Sequence, residues 1–299
     1  MNTLEMIIYA VISALLVIII AVTWNTYLKV FHKRKKSTME EMNRLIDKNL
    51  ITSNYYEDLK LTKIVTNSLD NLHLAGYLVK CKTSIGCVIL IHGISNNHVT
   101  MLSHVEFFRK KNYDVLLIDQ RGHCNSSPTI STYGFKETKD ITQWMKYLKN
   151  LGYDNVGIMG HSMGASIALL TCAEVIKPNF VISESGFSNL HELVAFHIRA
   201  KKMPPFIFVN TVSLVCKILN NFWLSDIDVL GSISNTKVPI LFIHGEMDNL
   251  IPCYMSKRMA KATNSKLFIV KNCEHSIFKN IKYSLSEYEN VISDFLLNI

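Results

Sequence analysis

Five consecutive residues carry the strongest chemical signal in the sequence: Gly160-His161-Ser162-Met163-Gly164, directly after NVGIM and directly before ASIALLTCAEV. The first run has the length and apolar content of a buried strand and the second the pattern of a helix, so Ser162 falls on the turn between them. A turn that sharp holds its central residue at strained backbone angles, and the flanking glycines leave room for it. A serine presented this way suits attack on an acyl carbon. Its hydroxyl needs an imidazole to take the proton, and the imidazole needs a carboxylate to fix its tautomer and balance its charge.

Both partners follow in chain order. His244-Gly245-Glu246-Met247-Asp248 comes after the strand-like VPILFIH, and Glu274-His275 after KLFIVK. Asp248 and His275 thus lie just past strand C-termini, where distant parts of the chain converge. For the acid, Glu184 at the end of FVISES and Glu246 compete with Asp248, which motif position favours. The tetrahedral intermediate also needs donors. The backbone N–H of Met163 is expected to be one, and that of Ile94, in His92-Gly93-Ile94-Ser95 after CVILIH, the other.

The elements that must position these residues are legible from their rhythm. LKLTKIVTNS and NLHLAGYLVK, with Asp70-Asn71 between them, read as an opening antiparallel hairpin. From Gly86 onward, CVILIH, YDVLLID, NVGIMG, FVISES, VPILFIH and KLFIVK alternate with helical stretches: VTMLSHVEFFRKKN, FKETKDITQWMKYLKNLG, MGASIALLTCAEVIK and PCYMSKRMAKATN. EYENVISDFLLNI closes the chain as a last helix. Such alternation predicts an α/β fold with a mostly parallel sheet covered by helices on both faces. The stretch between FVISES and VPILFIH is too long for a simple crossover and predicts an inserted helical lid. Its Phe206, Phe208, Phe222 and Trp223 either pack the lid itself or line an apolar acyl pocket.

At the N-terminus, Met6 to Trp24 runs without a charge, long enough to span the roughly 30 Å hydrocarbon core as a helix. Only Glu5 precedes it closely, and Trp24, Asn25 and Tyr27 follow, so the positive leader and small cleavage-site residues of a signal peptide are missing. Lys29, Lys33, Arg34, Lys35 and Lys36 come next, which predicts an anchor whose following domain faces the cytoplasm. Ser37 and Thr38 before Glu40 and Glu41 form a capping-box pattern that starts a short helix through Met42, Leu45 and Ile46, read as a connector.

Composition excludes several classes. With 48% hydrophobic and 19% charged residues over 299 positions, the chain is neither disordered nor fibrous. Part of the net charge of +8 lies in that basic run, and no nucleic-acid motif appears. The seven cysteines are scattered singly and read as reduced thiols. His191-Glu192-Leu193-Val194-Ala195 begins like a zinc-protease helix but lacks the second histidine, and GIMGHSMG is no phosphate loop. No metal and no cofactor is called for.

Taken in series, HGISNN, DQRGHCNSS, GHSMGA, HGEMDNLIP and NCEH resemble the motifs of α/β-hydrolases over roughly 59–299. Within that superfamily the chain resembles membrane-anchored bacterial hydrolases described as serine aminopeptidase-like or cinnamoyl-esterase-like, and GHSMG is similar to the monoacylglycerol lipase motif. The resemblance implies Ser162, Asp248 and His275 as a triad, Ile94 and Met163 as oxyanion donors, and Asp119-Gln120-Arg121-Gly122 as a structural loop. It implies hydrolysis of a small acyl ester or lipid-like substrate, with peptidase, acyltransferase and non-catalytic scaffold as alternatives. Cys124 and Cys273 depart from the pattern, standing where glycine is common. The expected organisation is an anchor over 1–36, a helical connector over 37–58 and the α/β domain over 59–299, with the lid at about 190–235.

Overall fold

The computed structural model describes residues 2–277 and 285–299. Its helices are α1 (Thr3–Phe31), α2 (Thr38–Asp47), α3 (Tyr55–Asp58), α4 (Val105–Lys110), α5 (Glu137–Asn150), α6 (Met163–Leu170), α7 (Leu190–Ala200), α8 (Pro205–Asn220), α9 (Val229–Ile233), α10 (Cys253–Thr263) and α11 (Leu285–Leu297). Its strands are β1 (Thr62–Asn67), β2 (His73–Val79), β3 (Gly86–Ile91), β4 (Tyr113–Ile118), β5 (Val156–His161), β6 (Phe180–Glu184), β7 (Ile240–Gly245) and β8 (Lys266–Val270). By its internal contacts the chain forms two compact units. One joins Met1–Lys33 to Leu190–Ile227, and the other joins Arg34–Asn189 to Asp228–Ile299.

The second unit is built on a single sheet of order β1-β2-β4-β3-β5-β6-β7-β8. The β1–β2 and β2–β4 pairs are antiparallel and every other pair is parallel. The central strands β3, β4, β5, β6 and β7 are buried along their whole length, as expected where both faces are covered. One face presents alternate residues, among them Val88, Leu90, Val115, Leu117, Met159, Ile182 and Ile243, to a core that includes Leu45, Phe108, Ile292 and Phe295.

Two predicted helices are shorter than their sequence runs. VTMLSHVEFFRKKN opens as a 3-10 segment, His98–His104, before α4 begins. The run MGASIALLTCAEVIK leaves the α-helix after Leu170, passes through a 3-10 turn at Thr171–Ala173 and is extended at Glu174. In the latter the Thr171 hydroxyl turns back onto the Ala168 carbonyl at 2.5 Å, a local bond that competes with helix continuation. The helix α2 has the expected capping box, with Ser37 Oγ accepting from the Glu40 N–H and Glu40 accepting from the Ser37 N–H. It is also an integral part of the sheet unit. Leu45 is fully buried, and buried Glu41 accepts from Thr100 Oγ1 (3.1 Å) and pairs with Lys36 (3.0 Å) and Arg44.

The other unit is all-helical. The final turns of α1 pack on α8: Thr23 and Thr211 hydroxyls are 2.7 Å apart, and the Asn220 amide donates to Tyr27 Oη at 3.0 Å. Phe31 meets Phe222 edge-on with ring centroids 6.0 Å apart. The insertion belonging to this unit ends at Ile227, and α9 groups with the sheet.

Candidate active site

Ser162 caps β5 and precedes α6 with φ 59° and ψ −123°, the left-handed strain that the sequence pattern anticipated. The glycines around it are sterically required. A Cβ on Gly160 would lie 2.2 Å from the Gly164 carbonyl oxygen, and one on Gly164 would lie 2.3 Å from that of Ile91. The Ser162 N–H is held by the Glu184 carbonyl at 2.8 Å, tying the turn to the neighbouring strand β6.

His275 and Asp248 converge on this turn from loops after β8 and β7. Ser162 Oγ lies 2.8 Å from His275 Nε2, and His275 Nδ1 lies 2.6 Å from Asp248 Oδ2. In that chain the hydroxyl donates to Nε2 and Nδ1–H donates to the carboxylate, the arrangement in which an imidazole can draw the serine proton. Asp248 Oδ1 accepts the N–H groups of Leu250 and Ile251, both at 2.8 Å, and His244 Nε2 approaches Oδ2 at 3.1 Å. Burial alone would raise the Asp248 pKa. The bonds from His244, His275 and the Ile251 N–H outweigh it and hold the carboxyl well below its ordinary value, hence ionised. Gly245 lets the two loops meet, since a Cβ there would sit 2.3 Å from the Glu274 carbonyl oxygen and 2.5 Å from that of Cys273.

The competing carboxylates go elsewhere. Glu184 is buried and takes His161 Nδ1–H at 2.9 Å and the Tyr288 hydroxyl, with His104 Nε2 3.9 Å away. A cavity of about 20 Å³ adjoins it, lined by Leu45, Thr100, Met101, His104 and His161 among others, with room for about one water. Desolvation works against the Glu184 anion, yet the bonds from His104 and His161 bring its pKa well below normal. Glu246 accepts from the Asn272 N–H at 3.2 Å on the surface.

The candidate oxyanion donors lie beside the serine. Met163 is the first residue of α6 and is buried. Gly93 is so near that a Cβ on it would come 3.1 Å from Ser162 Cβ, so the loop that carries Ile94 runs beside the serine. His92, which the sequence reading named only as part of that loop, fixes this peptide. Its Nδ1–H donates to the Gly93 carbonyl at 2.8 Å while Nε2 accepts the Gln120 N–H at 3.1 Å. Complete burial lowers its pKa to about 4, so it stays neutral and can do both. The signal for it was the His-Gly pair after β3.

The Asp119-Gln120-Arg121-Gly122 loop is structural, as expected. Buried Arg121 binds Asp140 through two bonds of 2.6 Å and Asp70 through two of 2.9 Å. Cys124 adopts φ 42°, which accounts for glycine being common at that position. Cys273 is buried and its carbonyl accepts the Met247 N–H at 2.9 Å. All seven cysteines are free. His98, Asp119 and Cys124 place potential metal-ligating atoms within 4.8 Å of one another. Both His98 ring nitrogens are already engaged, Nδ1 by Asp119 at 2.8 Å and Nε2 by the Tyr56 hydroxyl at 2.9 Å.

Of the lid aromatics, Phe208 and Phe222 are buried, the latter on Phe31, while Phe206 and Trp223 are 73% and 40% exposed. The four thus differ in exposure, two buried and two open to solvent.

Comparison with known proteins agrees with this architecture. A family model described as alpha/beta hydrolase fold matches residues 86–195. YqkD of Bacillus subtilis (strain 168) is 26% identical over 273 residues, covering 89% of each chain. The Pyrococcus furiosus esterase Pf2001 superposes with a TM-score of 0.66 at 22% identity, covering 82% of this chain and 95% of the esterase. An acylaminoacyl peptidase superposes with a TM-score of 0.60 at 17% identity over 82% of this chain and 43% of its own. The chain has the α/β-hydrolase fold, and its residues 86–195 match the model of the family of that name.

Proposed function

We propose that this protein is a membrane-anchored serine hydrolase that cleaves carboxylic esters through an acyl-enzyme. The observation that carries the reading is the chain Ser162 Oγ–His275 Nε2 (2.8 Å) and His275 Nδ1–Asp248 Oδ2 (2.6 Å) at the apex of a strained turn. In the reaction, His275 takes the Ser162 proton as Oγ attacks the acyl carbon. Asp248 balances the imidazolium, and the Met163 and Ile94 N–H groups receive the oxyanion. His275 then protonates the leaving alcohol. Water, deprotonated by the same imidazole, releases the acid and restores the serine. Likeness to both an esterase and a peptidase means that fold alone does not choose the leaving group. A small acyl ester or lipid-like substrate is the reading that suits a membrane-bound enzyme with this site.

Helix α1 is the one helix among the described residues long and apolar enough to cross a membrane. Its last turns are buried at Thr23, Thr26, Tyr27 and Phe31, which favours a retained anchor over a cleaved signal, because cleavage would strip α8 of its partner. The basic residues after it favour a cytoplasmic sheet unit.

A fluorophosphonate should label wild type at Ser162, and Ser162→Ala should abolish both labelling and turnover of p-nitrophenyl esters. Hydrolysis at the wild-type rate by Ser162→Ala would overturn the catalytic reading. Preference for aminoacyl-amides over esters of graded length would make it a peptidase. External protease that cuts the sheet unit in intact cells would reverse the topology.

A further inference from the structure

We propose that α8 is a second membrane contact: its exposed apolar stripe, with Trp223, lies in the interfacial layer of the bilayer that α1 crosses. The inference rests on the reading of α1 as an anchor and extends it from a tether to a platform.

The exposed side chains of α8 are of the wrong kind for water. Phe206, Leu214 and Ile218 stand 73%, 48% and 71% exposed, and Leu219 and Trp223 follow at 53% and 40%. Phe206, Asn210, Leu214 and Ile218 recur at intervals of four, so they form one stripe along the helix, with Asn210 its single polar member. The opposite stripe, Phe208, Val209, Val212, Ser213 and Cys216, is buried. A helix of 16 residues spans about 24 Å, short of the hydrocarbon core, and an apolar helix of that length with one side buried is suited to lie at the interface.

The level at which α8 is held supplies the occupant. Thr23 and Tyr27 fasten α8 through Thr211 and Asn220, and they belong to the part of α1 where the uncharged run ends and Lys29 and Lys33 begin. That is where a spanning helix leaves the hydrocarbon. Whatever depth α1 takes, α8 is bolted to its end, and its apolar stripe is carried there with it. Trp24, 49% exposed, and Trp223 place indoles in the same unit, the residue type that favours headgroup depth. Arg199, Lys201 and Lys202 precede α8 and add positive charge suited to anionic headgroups.

The full-length protein reconstituted in phosphatidylcholine–phosphatidylglycerol vesicles tests this by quenching with lipids brominated high on the acyl chain. In a W24F/W223F background, buried Trp144 gives a constant signal, and F206W or I218W adds a reporter at an exposed position. Both reporters should lose fluorescence to brominated lipid to the same extent as Trp24 does in W223F alone, and should resist aqueous iodide. If Trp24 is quenched while both reporters are unquenched and open to iodide, the anchor stands and this inference falls. If the reporters resist both quenchers while the protein cross-links to itself, a second copy covers the stripe and the inference likewise falls. If Trp24 escapes quenching and alkaline carbonate releases the protein, the anchor reading fails and takes the inference with it.

Discussion

The two compact units use polarity in opposite ways. In the sheet unit, the buried charged groups at and around the site are partnered: Asp248 receives His275 and two backbone N–H groups, Glu184 receives His161 and Tyr288, and Arg121 meets two carboxylates. In the helical unit, apolar groups are exposed: residues 3–22 of α1 almost throughout, and the outer stripe of α8. A buried polar group without a partner costs about 1–3 kcal/mol, so the first arrangement tolerates few substitutions. An exposed apolar group in water is individually cheap to change, and its meaning lies in the surface it forms with its neighbours. The difference separates a unit specified atom by atom from one specified by composition.

The sharpest way to break that contrast is at the carboxylates. Asp248→Asn should preserve packing yet lower kcat on the order of ten-thousand-fold, because the imidazole loses its orienting anion. Glu184→Gln should leave kcat within about tenfold while costing about 1–3 kcal/mol of stability, since its partners serve packing around His161 and Tyr288. Steady-state rates and urea unfolding in micelles measure the pair. The reverse pattern would exchange the two roles.

Within the helical unit the same contrast separates buried from exposed aromatics. Phe222→Ala removes a ring fully enclosed near Phe31 and should cost about 3–5 kcal/mol. Phe206→Ala should stay within about 0.5 kcal/mol in detergent. Similar losses at both sites, by thermal unfolding, would mean that the stripe on α8 is packed.

The last test concerns His92. Its pKa in the folded protein, about 4, lies below the ordinary 6.5, so the unfolded chain binds the proton more readily and protonation opposes folding. Its contribution is intact above about pH 6.5 and is lost as pH falls toward 4, amounting to about 3 kcal/mol at the acid end. Unfolding measured across that window should show the decline, and His92→Asn should flatten it. An unchanged slope would place the acid sensitivity at another group.

What the sequence determined by itself is what short-range physics encodes. Strands and helices announce themselves through apolar period. The turn at Ser162 announces itself through glycines whose Cβ atoms would meet backbone within 2.3 Å, and the capping box at Ser37 through two side chains three residues apart. The uncharged run of α1 was equally legible. Tertiary structure alone decided which groups meet across the chain. Ser162 and His275 are 113 residues apart, and Glu184 is engaged by His161, His104 and Tyr288, which arrive from separate elements. It also decided that Phe222 packs on Phe31 while Phe206 faces outward, and that the end of α1 is fastened to a helix nearly two hundred residues away, with Thr23 and Thr211 188 positions apart. Periodicity assigns a side chain to a face, but the partner across that face is set by the packing of the whole chain.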